Sequence, residues 1–389
     1  MNVELKIEKT AFGGDGIGFV DGKTCFVEGA LPGELVIARI IQDKKSFLKA
    51  KTVKVVEFSS FRVEPPCRYV NVCGGCQYQH SAYEEELRIK ESQTREMLMR
   101  NLDLPETVIK PIRRSSRDYG YRRSVTLHRT SSDNSRPQAL GFFARDNQNV
   151  VAVDGCLLAD ERLSVLFKSK FKLKKGVDKV TFKVSEKGEI VSDQEELFIR
   201  VHLCGEPLLV HSKGFFQNNL FVTELLARQA GEWVRQVAPD AFFDLFAGVG
   251  TFTFLSAKNT PRLVCIEESM AAVQALRMNA AERGLKIEAI QGRVEKVFPA
   301  MWTKENPQKA MVCMDPPRQG LEKGLAVFFS EPRPGLAALI YISCDLATLT
   351  RDLKIILEKG RYEVVEAAPF DMFPRTSHIE TAVFLRPLK

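Results

Sequence analysis

The stretch DLFAGVGTF, residues 244–252, constrains the fold more than any other part of the chain. It closes an apolar run, turns on two glycines and enters a helix-like segment. From about residue 219 onward, helix and strand patterns alternate. A helix near 219–237 precedes AFFDLF, and a second helix runs to about 258. RLVCIE, the helix SMAAVQALRMNAAERG, and the strands KIEAIQG and KAMVCMD follow. AALIYISC, the helix LATLTRDLKIILEKG and two final strands complete the series. This alternation predicts a doubly wound α/β domain with a mostly parallel sheet. Such sheets bind ligands outside the carboxyl ends of their strands, at the point where strand order reverses. Gly248 and Gly250 let the backbone come close to a ligand there. Position 253 is Thr, so the third glycine of the dinucleotide fingerprint is absent and a nicotinamide cofactor is disfavoured. Glu267 closes the next strand, where a carboxylate accepts hydrogen bonds from ribose hydroxyls. Together these features point to an adenosine-type ligand with no pyrophosphate to cradle, which fits S-adenosylmethionine.

Two more groups fall on the same sheet edge. MDPPRQG (314–320) follows a strand, and two successive prolines stiffen the turn and remove two backbone donors. Asp315 is thereby expected to face the crevice; turn capping is its plainer alternative. Cys344, in YISCDLATLT, ends the next strand just before a helix that starts near Leu346. A helix N-terminus lowers a thiol's pKa, so a nucleophilic thiolate is expected beside the methyl donor. An inert buried thiol is the alternative reading.

The rest of the chain has a different texture. Residues 1–58 alternate apolar and polar positions in VELKIEKT, GIGFV, KTCFVEG, ELVIARIIQDK and FLKAKTVKVVE, with Gly, Pro and Asp between them. That pattern predicts a small OB-like β-barrel of a kind that often binds nucleic acid. GGDGIG (13–18) reads as a turn, because no helix follows it. Ser81 with Glu84 reads as a capping box opening a helix to about Asn101. Residues 119–210 again alternate like strands. The expected domains are 1–58, a mixed α+β central domain at 59–215, and the α/β domain at 216–389.

Charge is uneven. Residues 1–215 hold 35 Lys and Arg against 29 Asp and Glu, whereas the remainder holds 21 against 20. A local basic excess suits an anionic partner such as nucleic acid, or is simply a solvated surface. KPIRRSSRDYGYRR (110–123) interleaves six cations with two tyrosines, a mixture suited to phosphate contact and base stacking, and reads equally well as a basic loop before a strand. KSKFKLKKGVDK (168–179) reads equally well as an RNA contact or as a lysine-protected edge strand. No apolar run approaches the roughly 18–20 residues of a membrane helix, and MNVELKIEKT lacks the apolar core of a signal peptide, so a cytoplasmic protein is expected. Nine cysteines in such a chain argue against disulfides. Cys67, Cys73 and Cys76 form C-x5-C-x2-C, with Cys156 further on. Four thiolates of this kind can hold zinc or an iron–sulfur cluster, and spacing does not separate the two. Cys25, Cys204, Cys265 and Cys313 lie in apolar runs and read as core.

In order and spacing, DLFAGVGTF, DPPRQG, YISCDLATLTRD and FPRTSHIETAVFL resemble the RNA uracil-5-methyltransferase family. The resemblance covers almost the whole chain, since the N-terminal barrel resembles that family's TRAM domain. It implies a Rossmann-like class I methyltransferase domain that transfers a methyl group from S-adenosylmethionine to carbon 5 of a uridine. It assigns the nucleophile to Cys344 and the base to Glu380, with Arg318 and His378 as helpers. It assigns cofactor contacts to Gln217, Phe246, Glu267 and Asp315. CGGCQYQH resembles the subset of the family that carries a [4Fe–4S] cluster on Cys67, Cys73, Cys76 and Cys156, which favours that cluster over zinc. That subset acts mostly on 23S rRNA, and transfer RNA is the alternative substrate. A non-catalytic RNA-binding scaffold is the rival from another class. No obligate protein partner is evident. Three departures stand out: Ala247 where a cysteine is common, Asp345-Leu346 in place of Asn-Pro, and Arg293 at a usually acidic position, which is therefore not counted as a cofactor contact.

Overall fold

The structure is a computed structural model that describes residues 1–130, 140–168, 176–305, 307–331 and 333–388. Most of the lysine-rich stretch at 168–179 lies outside the described residues. The chain forms two compact units. The first is Met1–Gln93, Leu127–Leu157 and Phe373–His378; the second is Thr94–Thr126, Leu158–Met372 and Ile379–Lys389.

The first unit opens with six strands: β1 (Asn2–Lys6), β2 (Lys9–Thr10), β3 (Gly16–Val20), β4 (Lys23–Glu28), β5 (Leu35–Asp43) and β6 (Phe47–Glu57). They order β1-β5-β6-β4-β3-β2, and only β4 and β6 run parallel. Alternate residues point inward, so Val3, Leu5, Ile7, Cys25, Val27, Val36, Ala38, Leu48 and Ala50 share one core. The sheet curls until β3 meets β1: a Cβ at Gly18 would lie 2.4 Å from the Lys6 carbonyl oxygen, so only glycine fits. Glu34 is fully buried here. Burial alone raises a carboxyl pKa, but Arg62 and the Leu31 and Ser59 N–H groups outweigh it and hold this one below its usual value.

Helix α1 (Tyr83–Leu102) starts in this unit. Its start differs from the expected capping box. The Ser81 hydroxyl donates to the Ala82 carbonyl instead, and the helix begins two residues later than Ser81. Glu86 and Lys90 form a fully buried pair at 2.7 Å on α1. Glu86 also accepts the Arg375 N–H at 2.7 Å, and Lys90 donates to the Phe373 carbonyl at 3.2 Å. The end of β7 (Ser124–Arg129) pairs with β8 (Leu140–Phe143), and β8 with β9 (Val150–Ala152).

The second unit holds the short helix α2 (Ser164–Lys168), the hairpin of β10 (Lys179–Val184) with β11 (Ile190–Ser192), and the hairpin of β12 (Phe198–Leu203) with β13 (Glu206–His211). The β11 strand is an addition to the sequence reading. So is the place of Cys204, which sits half-buried in the β12–β13 turn at φ +53° rather than in a strand core. After α3 (Leu220–Val237) come β14 (Ala241–Leu245), α4 (Thr251–Ser256), β15 (Arg262–Glu267), α5 (Met270–Glu282), β16 (Glu288–Gln291) and α6 (Val294–Glu305). Then follow β17 (Ala310–Met314), α7 (Lys323–Phe329), β18 (Leu336–Ser343), α8 (Leu346–Leu357), β19 (Tyr362–Phe370) and β20 (Glu380–Pro387). Helices α6 and α7 are also additions to the expected series. The seven strands order β16-β15-β14-β17-β18-β20-β19, with β20 antiparallel to both neighbours and the first five parallel. Strand order reverses at β14, between β15 and β17. The crevice is therefore expected at the loops after β14 and β17.

Candidate active site

The loop after β14 is held in a sharp turn. Phe246 has φ +62°, a left-handed conformation that is a true outlier for a bulky residue. Its ring is half-buried against the core around β14 and β17. Gly248 (φ +56°) and Gly250 (φ +88°) follow, and a Cβ at Gly250 would lie 2.3 Å from the Phe254 ring. Glu267, at the end of β15, clamps this loop: one carboxylate oxygen accepts the Gly248 N–H at 2.9 Å and the other the Ser269 N–H at 2.7 Å. Each oxygen keeps lone-pair capacity for a ribose hydroxyl.

The loop after β17 begins with Asp315. Gln217 Nε2 donates to Asp315 Oδ2 at 3.2 Å, which joins two of the expected cofactor contacts directly. Asp315 keeps some solvent access but is densely ringed by protein. Burial, then the nearby Asp244, push its carboxyl up to about 7. Asp244 is itself fully buried within β14, pushed up to about 7 by burial against the hydrogen bonds from the Thr253 N–H (3.1 Å) and hydroxyl (2.6 Å).

Strand register brings the thiol and the carboxylate together. Strands β18 and β20 run antiparallel with Ser343 opposite Thr381, so the next residues outward are Cys344 and Glu380. On its other side Glu380 lies opposite Phe370 of β19. Glu380 is 4% exposed, and its carboxyl is pushed well above the usual range by burial and by Asp315, with Arg318 pulling the other way. The Cys344 thiol is pushed up to about 12 by burial, then by Glu380 and Asp315, again against Arg318. These four side chains therefore lie within electrostatic reach of one another. The expected lowering of the thiol is thus reversed. Asp345 caps α8 by accepting the Thr348 N–H at 2.9 Å, so the helix does start beside the thiol. His378 belongs to the first unit, where its N–H donates to the Thr376 hydroxyl at 3.3 Å. Arg293 is paired with Glu322 and with Glu295.

The cysteine quartet lies wholly in the first unit as four half-buried thiols. The Cys73 thiol is raised by burial, and the Gly75 N–H pulls it down. Cys156 and Cys67 both raise it further as neighbouring charges. Arg145 holds the segment by donating to the Val70 and Cys76 carbonyls. Cys73 thus lies near Cys67 and Cys156, but among the described residues no three His, Cys, Asp or Glu side chains converge to hold a metal ion. Cys25, Cys265 and Cys313 are buried core thiols, as expected.

The basic stretch at 110–123 divides into two roles. Tyr121 is buried and Arg123 is tied to Asp160 and to the Val184 and Ser185 carbonyls, so neither is available for RNA. Arg114 and Arg117 are exposed, with the Arg117 guanidinium 5.2 Å from the Phe221 ring.

Comparison with known proteins decides what this arrangement belongs to. The tRNA (uracil-5-)-methyltransferase family matches residues 184–387, more than half of the chain, and the TRAM domain matches residues 2–53. The chain belongs to the tRNA (uracil-5-)-methyltransferase family. As a member it is an S-adenosylmethionine-dependent RNA uracil-5-methyltransferase with an N-terminal TRAM domain. Its relatives include an uncharacterized RNA methyltransferase of Bdellovibrio bacteriovorus, 30% identical over 99% of this chain and 95% of the relative. A 23S rRNA (uracil(1939)-C(5))-methyltransferase of Aliivibrio fischeri is 29% identical over 96% of this chain and 94% of its own. The fold matches that of the Pyrococcus abyssi tRNA (uracil-54, C5)-methyltransferase, solved with S-adenosyl-L-homocysteine. The TM-score is 0.73 at 22% identity, over 98% of this chain and 100% of that one. No helix among the described residues is long and apolar enough to cross a membrane.

Sequence reasoning passed over one residue of this methyltransferase site. Asp244 opens the very motif that was singled out, yet its charge was not weighed. An acidic residue inside the otherwise apolar run AFFDLF was the available signal.

Proposed function

We propose that this enzyme methylates carbon 5 of a uridine in 23S rRNA, with Cys344 as nucleophile and Glu380 as base. The observation that carries the reading is the β18–β20 register, which sets Cys344 and Glu380 side by side within reach of Asp315 and Arg318. Carbon 5 of uracil is a poor nucleophile. Addition of the Cys344 sulfur to carbon 6 moves the ring's π pair toward carbon 5 and oxygen 4, giving an enolate. S-Adenosylmethionine supplies the methyl group that carbon 5 takes, and its sulfonium charge favours the ionised forms of the thiol and the carboxyl. Glu380 then accepts the carbon 5 proton, the sulfur–carbon 6 bond breaks, and the ring double bond returns with the thiolate. Arg318 opposes the charge of both groups, holding each nearer to its reactive form. Gln217, Phe246, Glu267 and Asp315 hold the cofactor. The target base must leave its stack to reach the thiol, so a loop or flipped nucleotide is the substrate.

The same reading gives the quartet Cys67, Cys73, Cys76 and Cys156 a [4Fe–4S] cluster. It is supported by the donor set, four cysteine thiols in one unit with Cys73 sensing two of the others. When bound, the cluster would cross-link the segment at 67–76 to that at 156. The TRAM barrel and the central segment serve RNA binding. The preference for 23S rRNA rests on this quartet and on the rRNA-modifying relative; transfer RNA is the alternative.

Three measurements test these points. Cys344→Ala is expected to abolish methyl transfer while leaving RNA affinity and the melting curve unchanged; retained activity removes Cys344 as nucleophile. Mapping 5-methyluridine in ribosomal and transfer RNA from cells with and without the gene decides the substrate: a missing mark in transfer RNA alone would overturn the rRNA reading. Anaerobic purification is expected to yield a brown protein with about four irons. Stoichiometric zinc with no iron would overturn the cluster.

A further inference from the structure

The loop that carries Asp315 and Arg318 closes one turn bond of its own, from the Gly320 N–H to the Pro317 carbonyl at 2.8 Å. Pro316 and Pro317 offer no N–H, and Pro317, Arg318 and Gln319 are exposed. It is held from outside by two successive residues of α8. Asp352, buried at 1% side-chain exposure, accepts the Leu321 N–H at 2.7 Å and the Tyr341 hydroxyl at 2.6 Å on one oxygen. Its other oxygen accepts from Arg351 Nε at 2.8 Å. Arg351 in turn donates to the Gln319 carbonyl at 2.8 Å and the Leu321 carbonyl at 3.2 Å. Gly320 lies between these contacts at φ +73°. A Cβ there would stand 2.4 Å from Asp352 Oδ2 and 2.7 Å from Arg351 Nη2, so the loop presses onto the pair with no room for a side chain. Helix α8 begins two residues after Cys344. One helix therefore carries both the end next to the thiol and the grip on the loop that bears Arg318.

We propose that Asp352, with Arg351 and Tyr341, is a positioning group for uracil methylation. It locks the 315–321 loop onto α8 and so sets the distance between the Arg318 guanidinium and the Cys344–Glu380 pair. This rests on the reading that Cys344 and Glu380 carry the reaction. Two facts argue against a purely stabilising role. Arg351 is half exposed, so its ion pair with Asp352 adds only about 0–1 kcal/mol of stability. The network also ends on the backbone of the loop that carries Arg318, and Arg318 is the cation acting on both reacting groups.

The test is a double-mutant cycle of Asp352→Asn and Arg318→Met in the intact enzyme. Each single variant is expected to lower kcat by roughly 10- to 100-fold with KM for RNA little changed, since misplacing a group by an ångström costs about that much. The double variant is expected to be little worse than either alone, because both remove the same interaction. Iodoacetamide alkylation of Cys344, followed by mass on its peptide across pH, is expected to shift to higher pH in all three. Additive losses, an unshifted alkylation profile, or activity that falls only with the unfolded fraction would each overturn the proposal. If Asp352→Asn does not fold, Tyr341→Phe, which removes a single hydroxyl bond to Asp352, takes its place in the same cycle. Failure of the underlying chemistry looks different: Cys344→Ala would then keep its activity whatever the cycle shows.

Discussion

Cys344 shows two opposed effects acting on one atom. A helix N-terminus favours an anion by about 0.3–1 kcal/mol at an exposed site, less than one pKa unit. Burial shifts a group by up to about 3–5 units. The thiol is pushed up to about 12, with burial as the first cause, so the larger effect wins. Motif position singled out Cys344 and Glu380 in the sequence, but the desolvation around them depends on residues distant in the chain and could not be read from it. The carboxyls have a consequence for stability. Asp244 and Asp315 are both raised from 3.8 to about 7 in the fold. The folded state then holds more protons than the unfolded chain between those values. Their contribution is fully present below about pH 4 and is lost as pH rises toward 7. Asp244→Asn is expected to flatten that decline: its melting temperature should fall less between pH 5 and 7.5 than the parent's. Parallel curves for the two proteins would show that Asp244 is not held protonated.

At the level of elements, strongly periodic segments were legible and interrupted ones were not. Strand β6 is expected at FLKAKTVKVVE and observed at Phe47–Glu57, because alternation and flanking turns agree. Helix α6 was missed because Pro299 lies inside it and removes a backbone donor. Its real signal was Val294, Phe298 and Trp302 at helical spacing, all buried against Phe243 and Phe329. Packing there outweighs the proline. The glycine turn is less forgiving. Gly250→Ala would put a Cβ 2.3 Å from the Phe254 ring and 2.6 Å from Leu276 at φ +88°. It is expected to weaken S-adenosylmethionine binding at least tenfold by calorimetry, a cost of about 1.4 kcal/mol. Unchanged affinity would mean that the loop is not the cofactor cradle. On α1, Lys90→Met leaves Glu86 buried without its 2.7 Å partner. Breaking such a pair costs about 3–5 kcal/mol, readable as an earlier urea transition of the first unit. A loss below about 1 kcal/mol would show that Arg375 alone neutralises Glu86.

Over the whole molecule, the two-part division of charge and pattern was visible in the sequence, but the path of the chain was not. Residues 373–378 belong to the first unit although they sit between β19 and β20 of the second, and β7 divides between the two units after Thr126. Linear domain boundaries cannot express such returns. The basic excess likewise needed the structure to sort it. Within 110–123, Arg123 is spent on Asp160 and two carbonyls, whereas Arg114 and Arg117 face solvent. If those two arginines contact RNA phosphates, each contact adds about 0.7 to the slope of log affinity against log salt for single-stranded RNA. The double variant Arg114→Ser, Arg117→Ser is therefore expected to bind RNA more weakly at 50 mM salt, with a slope shallower by about 1.4. Phosphate contacts carry no sequence information, so the weakening should be similar for target and non-target RNA. At saturating RNA, kcat should stay near that of the parent enzyme, because a phosphate contact supports binding and takes no part in the bond changes at carbon 5 and carbon 6. An unchanged slope would move the RNA path off this face and leave the exposed arginines as solvated surface.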